Sequence, residues 1–109
     1  MSWHLSYLDE AERELAAFDK AGRAQIAKGI LKALQNPLPR SEGGYGHPLG
    51  NKAGINLTGC LKLKFLKLGV RVVYKLIRSE FEMKVIIISV RADNEVYIEA
   101  KKRLDKYDT

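Results

Sequence analysis

Between Cys60 and Arg78 the chain carries Lys62, Lys64, Lys67, Arg71, Lys75 and Arg78, and no acidic residue. The formal net charge of the whole chain is +6, so this one stretch equals all of it and the remainder balances. Two kinds of chemistry follow from such a group. Mounted on a rigid face, the cations bind a polyanion, with nucleic acid the first candidate. Crowded together, they disfavour protonation of any one lysine among them, and a neutral lysine is a competent base. Histidine, the usual acid–base residue, occurs only as His4 and His47. His47 lies beside Pro48 in a glycine-rich segment and reads as a solvated side chain. One cysteine and two distant histidines make no metal-ligand cluster and no internal disulfide. Cys60 reads as a buried, inert thiol, because a nucleophilic one needs a base nearby. No metal and no other cofactor is expected.

Strands must position the cations. Leu61, Leu63 and Phe65 interleave with Lys62 and Lys64; Val70, Val72, Tyr74 and Leu76 interleave with Arg71, Val73 and Lys75. Alternation with period two marks a half-buried strand. Two strands, Cys60 to Leu66 and Val70 to Arg78, are therefore expected, joined by a tight turn at Lys67 to Gly69. That turn sets Phe65 opposite Val70 and Lys64 opposite Arg71. Residues opposite one another share a face, so Lys62, Lys64, Arg71 and Lys75 gather on one side. Leu63, Phe65, Val70 and Val72 then enter the core, and a one-residue slip would destroy the agreement. A third strand is expected over Lys84 to Val90, after a turn at Ser79 to Met83.

The remaining elements frame this hairpin. Trp3, Leu5 and Tyr7 alternate as a short first strand. Asp9 is expected to cap a helix whose positive end attracts Glu10, Glu12 and Glu14. After a turn around Lys20 to Gly22, Ile26, Ile30, Leu31 and Leu34 recur at helical spacing. A second helix should run from Arg23 to Gln35 and stop at Asn36-Pro37. Pro37 to Gly59 holds three prolines and six glycines and reads as a long loop, with room for a short strand at Ile55 to Thr58. Gly44-Tyr45-Gly46 lacks the following helix that a phosphate-binding glycine motif requires. A last helix should start near Asp93 or Asn94 and bury Val96, Tyr97, Ala100 and Leu104. The expected class is α+β: a helical hairpin packed on a small, mainly antiparallel twisted sheet, with a C-terminal helix. A length of 109 residues makes this one domain spanning 1–109. Met1 to Asp9 lack the pattern of a signal peptide, and no apolar run approaches the ~20 residues of a membrane span. With a single cysteine, a cytoplasmic location is expected.

The order Lys62-Leu63-Lys64, Gly69-Val70-Arg71-Val72-Val73-Tyr74, Ile88-Ser89-Val90-Arg91, Glu95-Val96-Tyr97 resembles the RelE toxins within the RelE/ParE superfamily. The likeness spans Cys60 to Leu104. It implies a messenger-RNA interferase that works in the ribosomal decoding site, without a metal, by attack of a 2′-hydroxyl on the adjacent phosphate. By resemblance Lys64 is the general base and Lys62 a supporting cation at the phosphate. Arg71 stabilises the transition state, Arg91 protonates the departing 5′ oxygen, and Tyr97 stacks on the nucleotide. Lys52, Lys67 and Lys75 would add RNA contacts. The implied partners are the ribosome, the message and a RelB-like antitoxin that masks the basic face. The antitoxin, not this chain, would read DNA. Three departures stand out: Leu61 replaces an aromatic, two residues are missing before Arg91, and Lys52 stands where an additional arginine is common. Other readings of the same residues are a ParE-like gyrase inhibitor and an RNA-binding module without catalysis. Taken singly, Arg71 could equally pair with Glu80 or Glu82.

Overall fold

The structure is a computed structural model that describes residues 2–52 and 54–109. Met1 and Ala53, the latter inside the expected 37–59 loop, lie outside the described residues. Strand β1 (His4–Tyr7) leads into helices α1 (Asp9–Ala16) and α2 (Lys20–Leu34). Then come β2 (His47–Lys52), β3 (Ile55–Phe65), β4 (Val70–Ile77), β5 (Glu82–Ser89) and helix α3 (Asp93–Lys106). The strands form one sheet in the order β1-β5-β4-β3-β2. Strands β2 to β5 run as an antiparallel meander, and β1 adds in parallel to β5. This is the α+β arrangement that the pattern of elements predicts.

Helices cover both faces. Gly29 of α2 lies against the face that carries Leu61, Leu63 and Phe65. A methyl group on Gly29 would press into the edge of the Phe65 ring, so the glycine lets helix and ring approach without displacing that side chain. The other face, with Cys60, Lys62 and Lys64, lies under α3, which crosses β3, β4 and β5. Burial on both sides explains why β4 is apolar beyond simple alternation: Val70, Val72, Val73, Tyr74 and Leu76 are all buried. One cluster joins Ile26 and Ile30 of α2 through these strands to Val96, Ala100 and Leu104 of α3.

Strand β1 pairs with β5 only as far as Val85. Beyond it, two side chains satisfy the open edge of β5. The Glu14 carboxylate of α1 accepts from the Ile88 N–H at 3.1 Å. Arg103 of α3 donates to the Ile86 carbonyl at 3.0 Å. Glu14 and Arg103 also pair with each other through two bonds of 2.8 Å. An ion pair thus does the work of a missing strand.

Several boundaries differ from expectation. Leu8, not Asp9, takes the cap position of α1. Its backbone is still tied to the sheet, its N–H donating to the Val85 carbonyl at 3.0 Å. The acids Asp9, Glu10 and Glu12 fall in the first turn, where the helix dipole favours them. Lys20 to Gly22 is no turn but the start of α2, because the Asp19 carboxylate caps it by accepting from Gly22 N–H at 2.8 Å. The expected loop from Pro37 to Gly59 contains β2 and the first residues of β3. Strand β2 lies at the sheet edge, where Pro48 is tolerated, and its pairing shifts between Pro48 and Gly50, with Gly50 at φ +56°. Strand β3 consequently begins at Ile55, and β5 runs from Glu82 to Ser89. The link at 78–80 is a single 3-10 turn.

Candidate active site

The hairpin register is the one that alternation predicts: Phe65 opposite Val70, Lys64 opposite Arg71, Lys62 opposite Val73. Gly69 closes the turn at φ +65°, a conformation other residues adopt at a cost. Leu68 N–H donates to the Phe65 carbonyl at 3.2 Å and Gly69 N–H to the Leu66 carbonyl at 3.3 Å, so the turn spans 66–69 rather than Lys67 to Gly69. The result is three cations, from two adjacent strands, at one end of one face.

Helix α3 begins over that end. Asp93 and Tyr97 are four residues apart, hence one above the other on the helix. Arg71 Nε donates to Asp93 Oδ1, and Arg71 Nη1 donates to the Arg91 carbonyl at 2.8 Å. Lys62 Nζ donates to the Tyr97 hydroxyl oxygen at 3.1 Å and lies 4.0 Å from Asp93 Oδ2. The partner of Arg71 is therefore Asp93, not Glu80 or Glu82. Tyr97 is 7% exposed. In this arrangement the open aromatic face needed for stacking on a nucleotide is absent, because the ring is packed into the sheet with Lys62 Nζ 5.8 Å from its centre.

Lys64 is exposed beside this network, and Arg91 is exposed on the link from β5 to α3. The Arg91 backbone carbonyl itself reaches Arg71. Lys75 sits on the same face, opposite Cys60 and Lys84, but four strand residues from Arg71, roughly 13 Å. Lys52 pairs with Ile55 at the far end of β2, away from the cluster. Lys67 stands on the hairpin turn. Cys60 is buried, and burial pushes its thiol up to about 11 against the pull of Lys75 and Lys101.

Two neighbours of the cluster were not anticipated. His47 faces Lys62 across the β2–β3 pair. Desolvation, then the charges of Arg40 and Lys62, hold its imidazole below the ordinary value. Only knowledge of β2 could have placed it there. Asp93 could have been found from its spacing to Tyr97. A groove of about 730 Å³ also opens between α2 and the β3–β4 turn. Leu31, Phe65, Leu66 and Leu68 line it, with Lys28, Lys32, Lys64 and Lys67 among its walls and no acidic residue.

No protein-family model matches the chain. The mRNA interferase toxin RelE of Escherichia coli K12 is 32% identical over 101 residues, covering 90% of this chain and 96% of that protein. The mRNA interferase RelE of Shigella flexneri matches to the same extent. Among solved structures, free E. coli RelE with two arginine-to-alanine substitutions superposes with a TM-score of 0.72 at 26% identity, over 95% of this chain and 99% of that one. The same mutant in complex with a peptide of the antitoxin RelB gives 0.68 at 25% identity, over 92% and 95%. With that identity sustained over nearly its whole length and on the same fold, the chain belongs to the RelE family of mRNA interferase toxins.

Proposed function

We propose that the chain cleaves messenger RNA in the ribosomal A site, using side chains alone. The observation that carries this reading is the placement of Lys64 directly opposite Arg71, beside Lys62, where α3 begins. Lys64 takes the proton of the 2′-hydroxyl. The 2′ oxygen then bonds to the adjacent phosphorus and the bond to the 5′ oxygen breaks, giving a 2′,3′-cyclic phosphate. Arg71 and Lys62 meet the charge that builds on the phosphorane, where fixed donors are most effective. Arg91 supports the departing 5′ oxygen, which takes a proton from water and ends as a hydroxyl, while the proton held by Lys64 returns to solvent. Tyr97 orients Lys62 through its hydroxyl. Lys67, and more remotely Lys52 and Lys75, extend the basic surface along the RNA.

A small antitoxin is the protein partner. Its expected chemistry is an amphipathic segment whose apolar side fills the groove beside α2 and whose acids meet Lys28, Lys32 and Lys67. Seated there it reaches Lys64, which shares the groove.

Primer extension on a defined message with purified ribosomes tests the reading. The wild type should cut only in the presence of ribosomes, because they supply part of the geometry. Lys64→Ala should lose about 10²- to 10⁴-fold in rate, the range for a proton-transfer group, while keeping its fold. An undiminished cut in Lys64→Ala would refute the assignment. No cut by the folded wild type would favour gyrase inhibition or a module without catalysis.

A further inference from the structure

The cation cluster already holds an anion. Asp93 is the first residue of α3, where an acid would suit the helix dipole even if it faced solvent. Instead its carboxylate is turned onto the sheet, one oxygen on Arg71 Nε and the other 4.0 Å from Lys62 Nζ. Two oxygens of one anion bridging these two cations is the arrangement a phosphodiester would adopt with its two non-bridging oxygens. A second edge of the Arg71 fork is taken by the Arg91 carbonyl. RNA that seeks both Arg71 and Lys62 must therefore remove Asp93 first. The carboxylate is 41% exposed on its side chain, so water can replace the ion pair and the exchange is feasible.

We infer that Asp93 is a built-in occupant of the phosphate seat, which substrate displaces on binding and which lowers the affinity of the toxin for free RNA. The inference rests on the reading of Arg71 and Lys62 as phosphate ligands. Asp93 in this role touches the cations and not the reacting atoms, so it is a positioning residue.

The test is fluorescence anisotropy with a labelled single strand of about 12 nucleotides. Its sugars are 2′-deoxy, so it binds but cannot be cut by 2′-hydroxyl attack. Asp93→Asn should bind about fivefold tighter than wild type, the upper end for a part-exposed ion pair. Its plot of log affinity against log salt should steepen by about 0.7, because one more cation becomes free to release a counterion. Asp93→Glu restores the charge and should return both quantities to wild-type values. A merely structural role would not move the salt slope. Arg71→Ala, run alongside, should weaken binding. If it does, and Asp93→Asn binds no tighter than wild type, the seat is real and Asp93 does not block it, which overturns the inference. If Arg71→Ala leaves binding unchanged, the cluster is no phosphate seat and the inference falls with the assignment of these cations. The ribosomal cleavage assay of Lys64→Ala reports on that assignment independently.

Discussion

Helix α3 is held by charge at its start and again around Arg103, and these two clusters are built to opposite specifications. In its second half, Arg103 is 7% exposed and surrounded by acceptors: Glu14, Glu99 and the Ile86 carbonyl. Burial opposes the charge on Arg103, but Glu14 and Glu99 outweigh it and raise its guanidinium above the ordinary value. At the start of the helix the balance is reversed. Lys62 and Arg71 share one carboxylate, Asp93, with Lys64 directly across the strand pair from Arg71, and the group stays open to water. A structural network matches each cation with acids, because an uncompensated buried charge is costly. A site meant for an anion keeps cations in excess and pays in local repulsion. The first cluster locks α3 in place; the second uses the position so obtained.

Breaking the locked cluster should give the largest effect on stability. Arg103→Met removes the cation and leaves Glu14 with half its partners, so we expect a loss of about 3 kcal/mol. In a domain of this size that lowers the melting temperature on the order of 10 °C. Cleavage by the folded fraction at low temperature should stay at the wild-type level, since Arg103 lies ten residues, roughly 15 Å, along the helix from Asp93. Adding Glu14→Gln should recover part of the loss, because the two groups act as one unit. Thermal melts of the two variants, with primer extension at low temperature, decide the point. Equal losses of stability and cleavage would mean that the clusters are not separable.

The open cluster separates ring from hydroxyl in Tyr97. Tyr97→Phe keeps the buried ring and removes the acceptor for Lys62 Nζ. A hydrogen bond to a charged group of this exposure is worth about 1–2 kcal/mol, so cleavage should fall roughly tenfold. The melting temperature should move by only a few degrees. Retention of full activity in Tyr97→Phe would assign the residue to ring stacking and require α3 to shift when RNA binds.

The same contrast explains what could be read from the sequence. Alternation and a turn glycine alone place Lys64 opposite Arg71, because strand register is a local property. The start of α3 at Asp93 was likewise readable. The function of Asp93 was not, since its partners lie 22 and 31 positions away and only the packing of α3 on the sheet brings them together. Strand β2 was hidden by Pro48 and Gly50, which count against a central strand but not against an edge. With β2 unseen, the neighbourhood of His47 and Lys62 was unseen too. The Glu14–Arg103 pair was beyond reach for the same reason. Nothing local says that β5 outruns β1 and that its remaining edge is completed by side chains.

The tail of α3 offers the mildest test. Glu10 accepts from the Tyr107 hydroxyl at 2.7 Å and from Lys106 Nζ at 3.3 Å. The Tyr107 hydrogen bond, aided by Lys106, holds the Glu10 carboxyl down to about 2, against an ordinary carboxylate near 4.5. A depressed acid stabilises the fold above its unfolded value, and the contribution is lost as pH falls from 4.5 towards 2. The melting temperature should therefore decline across that window, and Glu10→Gln should flatten this part of the curve by a small amount. The amount is small because Lys106 is well exposed and water competes for every bond in the group. Raising the salt concentration should shrink the difference further, while leaving the buried Arg103 cluster nearly unaffected. A slope across pH 4.5 to 2 that is identical in Glu10→Gln and wild type would show that the tail of α3 is not fixed through Glu10. The ionic hold on the second half of α3 would then fall to Arg103.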